Sequence, residues 1–336
     1  MEPAQLPTAP VGSSALSNVL LAAVIGATLA AGAAFLLSYL DDSIHSADEV
    51  REIMDLPTLG TVSRITGDTQ QGKLIASQPR SPVAESYRVL RTNLQFSNVD
   101  RRLCSIMVSS PSPGEGKSLT SANLAIIMAQ AGKHVILIDA DLRRPTQHRV
   151  FGLTNNQGLS TVLLEGGEHV NSALQKGPVE NLQLLPAGPL PPNPTELLGS
   201  RRMHELMKLL CEQADFVILD SPPVMAVADA SVLASYVDGT LLVVDAGRTR
   251  RGQAQRCREA LHAVGANVLG VVLNRYAGYK DNYYYYAEDG TRQRRSIFVS
   301  LAAPFRRLGQ RSNRSTARQQ NSPQPVEVKG KPERSQ

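Results

Sequence analysis

At 336 residues the chain has room for one α/β domain of about 200 residues plus appendages. Its 42% hydrophobic content is that of a globular protein and excludes a chain disordered throughout. The net charge of +5 is unevenly spread: residues 291–336 hold eleven Lys/Arg against two Glu, which implies a solvated tail or an anionic partner such as lipid or nucleic acid.

In chain order, residues 1–15 contain no basic residue, and residues 16–40 (LSNVLLAAVIGATLAAGAAFLLSYL) contain no charge. About 20 apolar residues cross a bilayer as helix. A signal peptide is the alternative, but the basic flank it needs is missing. Lys and Arg first appear afterwards, at Arg51, Arg64, Lys73 and Arg80, so residues 1–15 are expected outside and everything after Asp41 in the cytoplasm. Residues 41–82 are polar and broken by Pro57, Pro79 and Pro82, as in a juxtamembrane linker, with one short helix over 47–54. Cys104, Cys211 and Cys257 form no CxxC pair, imply no disulfide framework and fit a reducing compartment.

From about residue 102, short β-branched runs alternate with helical stretches: CSIMVSS, SLTSANLAIIMAQAG, HVILIDAD, FVILDSP, GTLLVVDAG, a helix over 253–264, and VLGVVLNR. Continuous apolar strands alternating with helices predict a mainly parallel sheet covered on both faces, an α/β fold of the P-loop NTPase type. The domain so bounded runs over 83–275. It is followed by a tyrosine cluster over 276–290 and a tail over 291–336, in which 296–311 carries apolar residues at helical spacing around Pro304.

The strand CSIMVSS runs into PSPGEGKS and then a helix, the context of a phosphate-binding loop. Its glycines let successive amides wrap a phosphate, and the helix N-terminus adds positive potential. Pro113, Gly114, Glu115, Gly116, Lys117, Ser118 and Leu119 are the predicted ATP contacts, with Lys117 on the β- and γ-phosphates and Ser118 on Mg²⁺. Asp139, Asp141 and Asp220 each follow an apolar strand, where ligands gather in open parallel sheets. Carboxylates there hold a metal or accept a proton; the alternative is that they cap the next helices.

These motifs resemble the bacterial tyrosine kinases of capsule and exopolysaccharide assembly, over roughly residues 7–286. PSPGEGKS looks like the family's Walker A loop, ILIDADLRRP like its Walker A′, and VILDSPP like its Walker B. ESYRVLR carries Glu85, Arg88 and Arg91 in the family's ExxRxxR ring-forming pattern, and AGPLPPNPTELLGS is similar to a further signature. Residues 16–40 resemble the last membrane helix of a polysaccharide chain-length determinant. The family's single-chain form has an earlier membrane helix and an external domain that do not occur in this sequence, so the resemblance implies a shortened chain or a separate partner.

The resemblance implies transfer of the ATP γ-phosphoryl group to tyrosine. Asp139 is the proton acceptor; Asp141 and Asp220, with Ser118, position Mg²⁺; Lys117 neutralises phosphate charge; and Asn274 contacts adenine. The acceptors implied are Tyr279, Tyr283, Tyr284, Tyr285 and Tyr286 of a neighbour in a ring, an octamer by resemblance. Tyr276 is the least suited acceptor, being nearest the final strand. Six of the nine tyrosines lie in this cluster. Expected partners are the membrane, a chain-length-determinant or export protein and a tyrosine phosphatase, with no nucleic acid. No HRD or DFG sequence occurs, which excludes a eukaryotic-type kinase site. The alternatives are a MinD/ParA-like positioning ATPase, which usually has an additional P-loop lysine absent from SSPSPGEG, and a non-catalytic nucleotide-binding adaptor.

Overall fold

The computed structural model describes residues 15–64, 75–97, 103–166 and 170–277. The chain divides into two units, Met1–Tyr285 and Tyr286–Gln336, and every described residue belongs to the first. The acceptor tyrosines, the basic tail with its amphipathic stretch, and residues 1–14 lie outside the described residues.

Helix α1 (Ala15–Tyr39) has no buried residue and is, among the described residues, the one helix long and apolar enough to cross a membrane. At about 1.5 Å per residue its length exceeds the ~30 Å hydrocarbon layer. Helix α2 (Ala47–Met54) begins where the Ser46 hydroxyl accepts the Glu49 amide, and ends on Asp55 in left-handed geometry. Strand β1 (Thr58–Val62) follows. Helix α3 (Pro82–Phe96) starts with Pro at its first position behind the cap of Ser81.

The nucleotide-binding order then begins: β2 (Ser105–Ser109), α4 (Lys117–Gln130), β3 (Val135–Asp139), α5 (Gln147–Phe151), α6 (Leu159–Glu165) and α7 (Val170–Ala173). Next come β4 (Gln175–Lys176), β5 (Leu182–Leu185), α8 (Pro194–Leu198), α9 (Arg201–Gln213), β6 (Phe216–Asp220), α10 (Asp229–Ala234), β7 (Gly239–Asp245), α11 (Arg251–Ala263) and β8 (Val268–Asn274). The strands form one sheet in the order β1-β8-β7-β2-β6-β3-β5-β4, parallel except for β4 against β5.

Alternate strand residues enter two separate cores, as the two-residue period of a strand requires. Ile106, Val108, Val135, Leu137, Val243 and Val272 join α3 and α4 on one face. Met107, Ile136, Ile138, Val217, Leu219, Leu242 and Val271 join α2, α6, α9, α10 and α11 on the other. Burial on both faces is why these strands read as unbroken apolar runs.

Two expectations are corrected. Residues 41–82 are more than a linker, because β1 pairs in parallel with β8 and closes one edge of the sheet. The preceding strap also docks: the Ile44 amide donates to Thr249 O (2.9 Å), the Gly247 amide donates to Ile44 O (2.8 Å), and Ile44 is fully buried. Five residues and a flanking proline give too short a signal to announce an edge strand. The cysteines, widely separated in sequence, are not all separate in space: Cys104 and Cys211 form a disulfide with Cα atoms 5.8 Å apart across a sequence separation of 107. The parallel pairing of β2 with β6 brings the start of β2 to the end of α9, which no spacing rule reveals. Cys257 is free and buried.

Candidate active site

The chain turns sharply between β2 and α4. Gly114 (φ +82°) and Gly116 (φ +102°) adopt left-handed backbone that side chains disfavour, leaving the loop's amides room to curl. A Cβ on Gly116 would lie 2.1 Å from Asn274 Nδ2, and that nitrogen donates to Glu115 O at 2.8 Å. Arg275 Nη1 donates to Gly114 O at 3.1 Å and also pairs with Asp245. The end of β8 thus holds the loop from behind.

Glu115 turns into the protein rather than toward the loop's open side. Its carboxylate accepts the Ser112 amide (2.9 Å) and the Thr249 hydroxyl (2.7 Å), with 2% of the residue exposed. Burial raises its pKa to about 7, against those two hydrogen bonds and with Asp245 adding to the rise.

Register places the acids. Asp139 and Asp220 are directly opposite on β3 and β6, and Asp141 follows two residues after β3. Lys117 Nζ lies among them, 3.1 Å from Asp141 Oδ2 and 3.4 Å from Asp220 Oδ1, and donates to Ser118 Oγ at 3.2 Å. Burial lowers the Lys117 pKa, but Asp220 and Asp141 outweigh it and the net shift is upward. Asp220 Oδ2 accepts from Gln147 Nε2 at 2.8 Å. Asp139 Oδ2 accepts the amides of Thr146 and Gln147, each at 2.8 Å. Of the oxygens of these three carboxylates, only Asp139 Oδ1 lacks a hydrogen-bond partner among the described residues. Burial first, then the Asp220 charge, raises Asp139 to about 8.

A cleft of about 630 Å³ opens beside this cluster. Pro113, Gly114, Gly116, Lys117, Ser118, Leu119 and Asp141 line it, while Asp139 and Asp220 are fully buried behind it. The donor set suits a hydrated divalent cation: one hydroxyl and two carboxylates, already gathered around the Lys117 ammonium, leave room for phosphate and water ligands. Asn274 bonds the loop at Glu115 O and does not line this cleft. Glu85, Arg88 and Arg91 lie apart from the cleft on one half-buried stripe of α3, with Arg88 Nη1 2.8 Å from Glu85 and the buried Arg91 Nε without a hydrogen-bond partner among the described residues. Tyr276 is half-buried against the core, its amide donating to Val62 O at 3.0 Å.

Sequence reasoning missed Gln147, Thr249 and the Arg143–Asp229–Thr195 cluster. Arg143 Nε is 2.7 Å from Asp229 Oδ2, and its Nη2 is 3.0 Å from Thr195 Oγ1. Only the neighbouring RRP and NPTE motifs hinted at residues of interest there.

Residues 106–298 match the CobQ/CobB/MinD/ParA nucleotide binding domain family. The chain is 45% identical over 228 residues to the tyrosine-protein kinase YwqD of Bacillus subtilis (strain 168), covering 65% of this chain and 96% of that relative. The chain belongs to the bacterial tyrosine-protein kinases. Among solved structures, the kinase domain of the Escherichia coli tyrosine kinase ETK superposes with a TM-score of 0.64 at 30% identity, covering 69% of this chain and 94% of that one. Beyond the kinase domain, a putative tyrosine-protein kinase EpsB of Ralstonia nicotianae (strain ATCC BAA-1114 / GMI1000) matches over 282 residues at 35% identity, 81% of this chain and 37% of that relative. Membership of this kinase family sets aside the positioning ATPase and the non-catalytic adaptor, and the P-loop fold makes ATP the nucleotide bound.

Proposed function

We propose that this bacterial tyrosine kinase autophosphorylates its own tyrosine cluster and thereby controls capsular or exopolysaccharide polymerisation and export. The observation that carries this is the meeting of Lys117 and Asp141, which line an open cleft, with Asp220 buried behind them and Asp139 Oδ1 without a hydrogen-bond partner among the described residues.

The nucleotide lies along the loop amides, with Lys117 turning from the acids to the β- and γ-phosphates and Asn274 near the base. A phenol is a weak nucleophile at neutral pH, with a pKa of about 10. Asp139, reached once Lys117 has turned aside, accepts its proton as the phenol oxygen bonds to the γ-phosphorus; the bond to the β–γ bridging oxygen breaks, and ADP leaves with that electron pair. Ser118, Asp141 and Asp220 would hold Mg²⁺, which neutralises phosphate charge and favours ionised acids nearby. Gln147 keeps Asp220 oriented, and the amides of residues 146 and 147 keep Asp139 from turning.

The acceptors are Tyr279 and Tyr283 to Tyr286 of a neighbouring subunit, in a ring built through Glu85, Arg88 and Arg91. All three side chains are partly exposed on one stripe of α3, where another copy can reach them. Each phosphate adds up to about two negative charges, and several together loosen the ring by repulsion. Helix α1 spans the bacterial inner or plasma membrane once, leaving the kinase in the cytoplasm. A chain-length-determinant or export protein is the membrane partner, and a tyrosine phosphatase resets the cycle.

Full-length protein and a Lys117→Met variant incubated with Mg-ATP test this directly. Phosphotyrosine is expected only on the former; equal labelling of the variant would show the assigned site to be wrong.

A further inference from the structure

Away from the loop amides, the cleft changes chemistry. Pro222, Pro223, Ala226 and Val227 give it an apolar wall, and Arg143 and Arg144 line it on the same side as Thr146. This side lies toward β3 and β6, whereas Asn274 and Arg275 hold the loop from β8.

The two arginines are not equivalent. Arg143 is gripped bidentately by Asp229, at 2.7 and 3.1 Å, and that carboxylate is itself fully buried and accepts the Thr195 hydroxyl at 2.5 Å. Its charge is compensated and its guanidinium plane fixed, so it offers the cleft a rigid flat face rather than an ionic hook. Arg144 is exposed and makes no ion pair among the described residues. Its main chain is tethered at the reacting end, because its amide donates to Asp141 Oδ1 at 3.0 Å. An apolar wall, a fixed guanidinium plane and one uncompensated cation suit an aromatic ring followed by an anion.

We propose that this half of the cleft is the acceptor subsite, where Arg143 and the proline wall hold the phenol ring and Arg144 reads a carboxylate flanking it. This deepens, and rests on, the proposal that tyrosine hydroxyls are the acceptors. The chain's own cluster has the required chemistry: Asp281 precedes Tyr283 by two residues, and Glu288 and Asp289 follow Tyr286. Arg144 is therefore a specificity-determining residue for acidic tyrosine segments.

The test uses the full chain with Mg-ATP and three peptides spanning residues 279–287: the native sequence, one with Asp281→Asn and one with Asp281→Lys. The wild-type KM is expected to be about fivefold lower for the native peptide than for the Asn peptide, the size of one partly exposed ion pair. Arg144→Ala should abolish that preference through KM rather than kcat, without changing the KM for ATP. Arg144→Glu should invert it, favouring the Lys peptide, which a merely structural role for Arg144 cannot produce. The proposal is overturned if wild type treats the three peptides alike, if Arg144→Ala raises all three KM values equally, or if the tail is labelled while no peptide is. Absence of phosphotyrosine on both tail and peptides would instead overturn the kinase reading of the site, and this inference with it.

Discussion

Asn274 Nδ2 donates to the main-chain carbonyl of Glu115 at 2.8 Å, so the last strand of the sheet props the phosphate loop. Gly116 has no room for a side chain against that amide, since a Cβ would lie 2.1 Å from it. Gly116→Ala should weaken nucleotide binding by at least tenfold, because the left-handed backbone and the contact both resist it. Asn274→Ala removes one hydrogen bond, worth ~1 kcal/mol, while Arg275 keeps its hold on Gly114 O. A loss of roughly fivefold is expected. Titration with a fluorescent ATP analogue measures both, and an undiminished affinity in Gly116→Ala would contradict the steric account.

Lys117 is the counter-ion of a buried acid cluster, beyond the phosphate contact proposed for it. Its pKa is raised in the fold, so its stabilisation is complete below the unfolded lysine value and persists across neutral pH. Lys117→Met should therefore lower stability at pH 8 by about 3 kcal/mol. The deficit should shrink toward pH 5, where Asp139, raised to about 8 in the fold, carries a proton and needs no counter-charge. Thermal unfolding at the two pH values without nucleotide gives the comparison; a pH-independent deficit would point to lost packing instead.

Glu115 makes the opposite contribution. Its folded pKa of about 7 lies above its ordinary 4.5, so the stabilisation it gives is full below 4.5 and is lost as pH rises through 7. The loss amounts to about 3 kcal/mol. Glu115→Gln keeps an acceptor but cannot ionise. Its Tm should fall less than that of wild type between pH 5 and pH 8, and parallel curves would argue that Glu115 titrates normally.

The three cysteines should react differently. Cys257 is buried and its thiol is pushed up to about 12, so iodoacetamide at neutral pH should leave it unmodified in the folded protein. Peptide mapping without reductant should recover Cys104 linked to Cys211. A link through Cys257 in folded protein would contradict this pairing.

Tyr276 is held by its amide bond to Val62 and by packing on the core. Tyr276→Phe should leave the total phosphate on the cluster unchanged by mass spectrometry. A drop of one phosphate would mean that β8 frees its end during the reaction.

The local features were legible in the residues themselves. PSPGEGKS between an apolar strand and a helix announces the loop, and the three strand-end aspartates announce the acids, because backbone geometry and strand period act over a few residues. Helix α2 was legible for the same reason, with its serine cap and amphipathic spacing inside 47–54. The short β4 and β5 were not, since runs of two and four residues carry too little period.

What only the tertiary structure decided is which of these residues meet. Strand order sets Asp139 opposite Asp220, puts Lys117 against Asp141 and Asp220, and carries Asn274 around to the back of Glu115. It also turns Glu115 inward onto Thr249, closes Cys104 on Cys211 and pins Arg143 to Asp229, beside an Arg144 that has no ion pair among the described residues. These partners lie tens to hundreds of residues apart, and periodicity does not report which strand inserts beside which. The sequence alone determined that a phosphate loop and its acids exist; their burial, pairing and pKa values come from the parallel order β7-β2-β6-β3, which brings the strand ends to one edge of the sheet.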